Sequence, residues 1–427
     1  MKHTVNELKL VNGTRGLLIN VPDASVMSFD FQFRAGYYLV PKVKWEAPHI
    51  MEHMMFGANA RYEKARTFQA EFEKNGAYAN ASTSTYSVHY LAECADFEWD
   101  RILELIGLAL GTPKFVEHEF KSEYGNVKDE LAGYLTNYFR ELNLKLQKQM
   151  GLLIETDQER LQLMSSVKPL DIRSHYKTTH FSDNMRFVIA GQVKKRENEI
   201  KKVVEDSFKL KRGERKELPF ETPVCLEKVF YIPNKTVDSI HFILEIMTPK
   251  RLGIEQRDAL HLLNTMLTAT LHSLILGEAR ERGLVYNMGS NYSLANNFSS
   301  WWFGGKVMKQ NSEALFNIMI KELQKVLRGE IKNSDIEAAK QYSLGRFQRG
   351  TQTVGALAGS YSGEYFFNET IEDYFKIPER IKSVTKASII SVAREIFAQN
   401  IWGLGILGNC GQTHVEKLHK EISVLWK

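Results

Sequence analysis

Residues 26–57 read VMSFDFQFRAGYYLVPKVKWEAPHIMEHMMFG, and two different periodicities follow each other within them. The first is strict alternation: Phe29, Phe31 and Phe33 fall on one face and Asp30 and Gln32 on the other, the pattern of a strand buried on one side. A helix is expected to begin near Glu46-Ala47-Pro48, because proline is tolerated in a first turn whose N–H groups have no helical partner. On that helix His49 and His53 are four residues apart, so their rings share one face. Two imidazoles placed this way can grip one Zn²⁺. Glu52 lies three residues from His49 and next to His53, near enough to take a proton from a water beside such a metal. The order His-x-x-Glu-His is the reverse of the commoner His-Glu-x-x-His.

Working outward, NELKL-VNG-TRGLLINV before this stretch reads as a hairpin turning at Asn12-Gly13. After it come a helix over 64–74 that stops at Asn75-Gly76, strands over 77–83 and 86–93, and a helix over 96–109. A long helical region over 116–149 carries Glu119, Glu123 and Glu130. A catalytic zinc takes three protein ligands and keeps a fourth position open. Glu123 and Glu130, seven residues apart, lie on one face over two turns, so one could ligate while the other buttresses a histidine. Spacing does not choose between them, and the ordinary fate of such acids is a solvated face. No fourth His or Cys stands nearby to close a structural site. His89 is the nearest, and it sits in the alternating segment Tyr86 to Leu91, where a strand histidine is expected.

A short buried strand over 185–190 and a helix over 195–208 complete the first half. The stretch KLKRGERKELPFETP, residues 209–223, is charged, holds two prolines and has no hydrophobic period. The second half then repeats the order: an alternating strand with Ile240, Phe242, Leu244 and Ile246, a helix over 254–275, strands within 286–308, helices over 311–327 and 333–349, and a strand from Ile401 to Leu407 followed by a helix. Matching elements stand about 215 residues apart, as two copies of one α+β unit would. The expected division is a metal-binding catalytic domain over 1–210, a linker over 211–224, and a homologous domain without metal ligands over 225–427.

Composition narrows the class. Hydrophobic residues make up 43% and charged residues 25%, which excludes a disordered chain. The net charge of +5 is spread over both halves and forms no basic arm, so no nucleic-acid partner is expected. Cys94, Cys225 and Cys410 are too few and too scattered for a disulfide framework or a cysteine zinc site. With no signal-like N-terminus and no apolar run of about 18 residues, a cytoplasmic protein without membrane contact is expected.

Beyond the pentapeptide, the chain resembles the inverzincin metallopeptidases of the pitrilysin and mitochondrial-processing-peptidase type, in their half-size bacterial form. In that family a glutamate about 76 residues after the motif is the third metal ligand, and 76 residues separate His53 from Glu130. The resemblance implies Glu130 as ligand and Glu123 as the supporting acid. Phe56-Gly57 is similar to the family's Phe-x-Gly-Thr run, and Asn80-Ala81-Ser82-Thr83 to its Asn-Ala-x-Thr edge strand. Asn80, Ala81 and Thr83 would then hold a substrate backbone by strand addition. Glu281 to Tyr286, ERGLVY, resembles the Arg-Gly-Leu-x-Tyr segment, which implies that Arg282 and Tyr286 bind substrate and steady the carbonyl oxygen. Two departures touch the cleft: Ala47-Pro48 where the family usually has glycine two residues before the first histidine, and Ala58 in place of the threonine.

The fold implied is α+β, two homologous α/β sandwich units, each a mainly antiparallel sheet covered by helices. The function implied is that of a zinc-dependent endopeptidase holding one Zn²⁺ per chain, with Glu52 activating the water and oligopeptides or unfolded segments as substrates. A chain of two units would pair as a homodimer, or as a heterodimer with a homologous subunit. The alternative is a non-catalytic or partner-dependent subunit of a heterodimeric processing peptidase.

Overall fold

The computed structural model describes every residue, Met1–Lys427. Strands β1 (Thr4–Lys9) and β2 (Arg15–Asn20) form the hairpin expected at Asn12-Gly13, with Leu10 and Thr14 bonded across its base. With β3 (Val26–Phe33), β4 (Tyr78–Thr83), β5 (Val88–Ala95) and β6 (Met185–Gly191) they make a six-stranded sheet in the order β1-β2-β6-β3-β5-β4. Only β2 and β6 run parallel. The register sets Phe31 between Tyr90 and Phe187, so the alternating phenylalanines become one continuous aromatic face. That face is closed by helices from the same half, among them Trp99–Gly111 and Glu197–Ser207, with the Phe208 ring 5.0 Å from Phe31.

The polar face of β3 is not left to solvent. The helix Val354–Asn368, from the second half of the sequence, packs on β3 and β6. Its Ser362 hydroxyl donates to Asp30 at 2.8 Å, and His89 stands 2.9 Å from the same carboxylate. At the helix's C-terminal end, where carbonyls lack helical partners, Arg215 donates to Phe366 O (2.7 Å) and Arg34 to Phe367 O (3.1 Å). Arg186 binds the Glu369 carboxylate at 3.0 Å, and Arg15 reaches it as well.

The second sheet has β7 (Phe230–Pro233), β8 (Ser239–Thr248), β9 (Met288–Leu294), β10 (Ser299–Met308) and β11 (Ile401–Gly408), in the order β7-β11-β8-β10-β9. This repeats β2-β6-β3-β5-β4 strand for strand, again with one parallel pair. Ile240, Phe242, Leu244 and Ile246 pack into the core with helices including Ile254–Thr268 and Lys309–Arg328. The other face is covered by the helix Tyr138–Gln149, whose Tyr138 and Phe139 rings lie 5.9 Å from His241 and Trp302 respectively. The fold is thus mixed α/β, with two homologous sheets each dressed in helices.

One expectation is refined. The region 116–149 is two helices, Glu117–Tyr134 and Tyr138–Gln149; the second starts afresh where the Asn137 side chain accepts the Arg140 N–H at 3.0 Å. By contact the chain divides into two compact units, each drawn from several stretches of the sequence. One comprises Met1–Gly133, Asp157–Pro219 and Arg349–Glu372, the other Tyr134–Thr156, Phe220–Gln348 and Asp373–Lys427. Each sheet is covered on both faces, and in each unit one cover is a helix donated by the other half of the sequence.

Candidate metal centre

The helix Ala47–Met54 carries His49, Glu52 and His53, and it is buried along most of its length. Pro48 sits in its first turn, as the sequence suggested. The ligand-type atoms of His49, Glu52 and His53 all lie within 4.8 Å of one another. The helix Glu117–Tyr134 brings Glu123 and Glu130 to the same place. Glu130 Oε2 is 3.6 Å from both His49 Nε2 and His53 Nε2. Ligands of a tetrahedral zinc at 2.0–2.1 Å stand about 3.3 Å apart by geometry, so these three atoms surround a point that a zinc ion would fit with little adjustment.

The outer nitrogens are engaged as metal-binding histidines require. His49 Nδ1 donates to Glu46 at 3.0 Å and His53 Nδ1 to Glu123 at 3.2 Å. A carboxylate can only accept, so each ring carries a proton on Nδ1, and Nε2, which faces Glu130, is the nitrogen left to bind a metal once its own proton departs. Glu46 was missed in the sequence; its position three residues before His49 was the available signal. Its carboxylate is met by Arg160, whose Nε and terminal nitrogen lie at 2.6 and 3.0 Å. No local pattern could have announced an arginine 111 residues from the histidine it serves.

The electrostatics suit a cation. Burial opposes protonation of both rings, yet Glu123 and Glu130 push His53 up to about 10, and Glu130 and Glu46 raise His49. Glu46, Glu52, Glu123 and Glu130 together outnumber Arg160, so a dication entering the site would replace protons that the carboxylates now hold on the rings. Burial lifts Glu52 above the usual carboxylate range, against the pull of His53 and His49. The donor set and the surrounding charge fit zinc.

The edge-strand residues divide. Thr83, at the end of β4, donates its hydroxyl to Glu52 Oε2 at 3.2 Å. Asn80 and Ala81 lie along β4, which ends the sheet and pairs only with β5, so its outer edge has no strand partner. Arg282 and Tyr286 belong to the second compact unit. Tyr286 is 88% exposed with Arg280 over its ring, and Arg282 is half exposed beside Glu278. His89 is a strand residue on Asp30, as expected. Glu119 has a structural use: its buried carboxylate accepts the N–H groups of Ala58 and Ala65, both at 2.9 Å, tying down the loop after the motif and the start of the helix Ala65–Glu73. A Cβ at Gly57 would stand 2.5 Å from that carboxylate, which is why the run after Phe56 needs glycine.

Known proteins match most of the chain. Residues 47–152 match the model for insulinase (peptidase family M16), and residues 166–342 match that for the peptidase M16 inactive domain. The chain belongs to peptidase family M16, as a pitrilysin-like member of half size. It is 23% identical over 409 residues to an uncharacterized zinc protease of Rickettsia bellii, covering 94% of this chain and 97% of that one. It is 22% identical over 422 residues to zinc protease PqqE of Helicobacter pylori, covering 93% and 90%. Among solved structures, a protease from Helicobacter pylori aligns with TM-score 0.81 at 18% identity over 95% of this chain and all of that one. The peptidase M16 inactive domain from Pseudomonas fluorescens aligns with TM-score 0.83 at 12% identity, covering 95% and 98%. The inactive-domain match falls largely on the half whose sheet carries no His-x-x-Glu-His helix. No helix is long and apolar enough to cross a membrane.

Proposed function

We propose that this chain is a zinc-dependent endopeptidase whose metal is held by His49, His53 and Glu130. The observation that carries the reading is the equal 3.6 Å approach of Glu130 to both inward nitrogens. A zinc ion there would polarise a peptide carbonyl and make a water nucleophilic near neutral pH. Glu52 takes that water's proton as the new C–O bond forms, then gives it to the amine as the C–N bond breaks. Its burial supports this role, because a carboxylate with raised proton affinity both accepts and returns a proton readily. Thr83 restrains the Glu52 carboxylate through its hydroxyl. The free edge of β4, at Asn80 and Ala81, suits an extended peptide, whose backbone would add as one more strand. That mode favours unfolded segments and oligopeptides as substrates.

Arg282 and Tyr286, exposed on the second unit, would bind substrate and steady the carbonyl oxygen. A homodimer, in which each chain's pair completes its partner's site, is the assembly this reading favours. The test is hydrolysis of a quenched-fluorescent peptide mixture by the purified chain, beside a chelated sample and Glu52→Gln. The variant is expected to keep its zinc and lose roughly 100- to 10,000-fold in kcat. Cleavage by Glu52→Gln at the wild-type rate would sink the assignment. Bound zinc without cleavage in any sample would point to a subunit that needs a homologous partner.

A further inference from the structure

We propose that Glu46 and Arg160 form a buried clamp that fixes the His49 ring and thereby sets the affinity of the chain for zinc. The inference rests on the metal site proposed above. Glu46 stands at the N-cap of the motif helix, and its side chain makes no capping bond to the first turn. Its carboxylate is fully buried and turned elsewhere. One oxygen takes Arg160 Nε at 2.6 Å; the other takes both the Arg160 terminal nitrogen and His49 Nδ1, each at 3.0 Å. Arg160 is itself held, donating to the Tyr37 hydroxyl at 2.8 Å, and Tyr37 stacks on Trp45 at 5.2 Å.

Stability alone does not account for this pair. A buried ion pair is commonly no better than apolar residues of the same size, because desolvation offsets the attraction. What apolar residues cannot do is accept from Nδ1, which orients the ring and strengthens Nε2 as a donor to a metal. The two histidines are also held unequally. Glu123, which buttresses His53, is partly exposed and shares its oxygen with Asn126, whereas Glu46 is sealed in and braced from behind by a cation. His49 is therefore the stiffer of the two ligands, and Glu46 and Arg160 are positioning residues for it.

The experiment is competition for Zn²⁺ between a chromophoric chelator and the metal-free full-length chain, with the melting temperature of each metal-free protein measured alongside. The double variant Glu46→Met/Arg160→Met replaces the pair by apolar groups of similar length. It is expected to melt within a few degrees of wild type and to bind zinc about 10- to 100-fold more weakly. Glu46→Gln, which keeps size and one acceptor, is expected to lose severalfold and covers the case in which the double variant does not fold. Wild-type affinity in either folded variant would overturn the clamp alone. No zinc binding by the wild type, or undiminished binding by Glu130→Gln, would overturn the metal site and this inference with it.

Discussion

Glu245 lies at the centre of β8 with no exposed surface, on the face covered by the helix Tyr138–Gln149. Burial pushes its carboxyl up to about 7; Ser300 and Gln147 offset only part of this, and neither makes a hydrogen bond of good geometry to it. The folded chain therefore holds this proton more tightly than the unfolded one, whose carboxyl titrates near 4.5. Below that value the group is protonated in both states and adds no pH dependence. As pH rises to about 7 the unfolded state loses its proton first, and stability falls by about 3 kcal/mol at 1.36 kcal/mol per unit. Glu245→Gln should remove that decline, raising the denaturation midpoint at pH 8 and leaving it nearly unchanged at pH 4; an unaltered pH profile would refute this. Local spacing in the sequence could not reveal such a residue, since nothing near Glu245 marks it as unpaired. The same limit applies to the proposed metal centre. His49, Glu52 and His53 were legible because one helix turn holds them, and spacing narrowed the third ligand to Glu123 or Glu130. The braces behind them were not legible, because Arg160 comes from another part of the chain.

Elements were legible where a period ran long enough. The phenylalanine alternation of β3 and the repeat of its companion strands stood out, whereas the polar face of β3 suggested solvent and in fact receives a helix. That helix, Val354–Asn368, was not anticipated: its small and aromatic residues lack a clear amphipathic period. Its anchorage is concentrated at one end, where Arg15, Arg186 and Arg215 converge on Glu369. Glu369→Ala would leave those cations without their shared carboxylate. Because the group is partly exposed, a loss of about 2 kcal/mol is expected, below the 3–5 kcal/mol of a fully buried pair. Hydrogen exchange should rise first in the Val354–Asn368 helix; uniform acceleration across the first sheet, or none, would contradict the anchoring role.

On the scale of the molecule, the repeat was visible in the sequence but the exchange of helices was not. Periodicity shows that Tyr138–Gln149 is amphipathic without showing which sheet it will cover. The consequence is testable by cutting the chain. Residues 1–219 alone lack the segment Arg349–Glu372 and so leave one face of β3 and β6 open. That fragment is expected to melt without a cooperative transition, and adding a peptide spanning 349–372 should restore part of it. A sharp calorimetric transition from the fragment by itself would show that the donated helix is dispensable.

The same exchange imposes a timetable on synthesis. The first unit includes residues up to Glu372, so a chain leaving the ribosome cannot finish it when residue 219 emerges. At 5–20 residues per second the interval lasts roughly 8–30 s. Throughout it, β3 and β6 stand unroofed, and until Gln348 the residues being added belong to the other unit. Such a nascent chain is a natural client for chaperones that shield open sheet faces, and slowing translation between these two points would lengthen its exposure to aggregation.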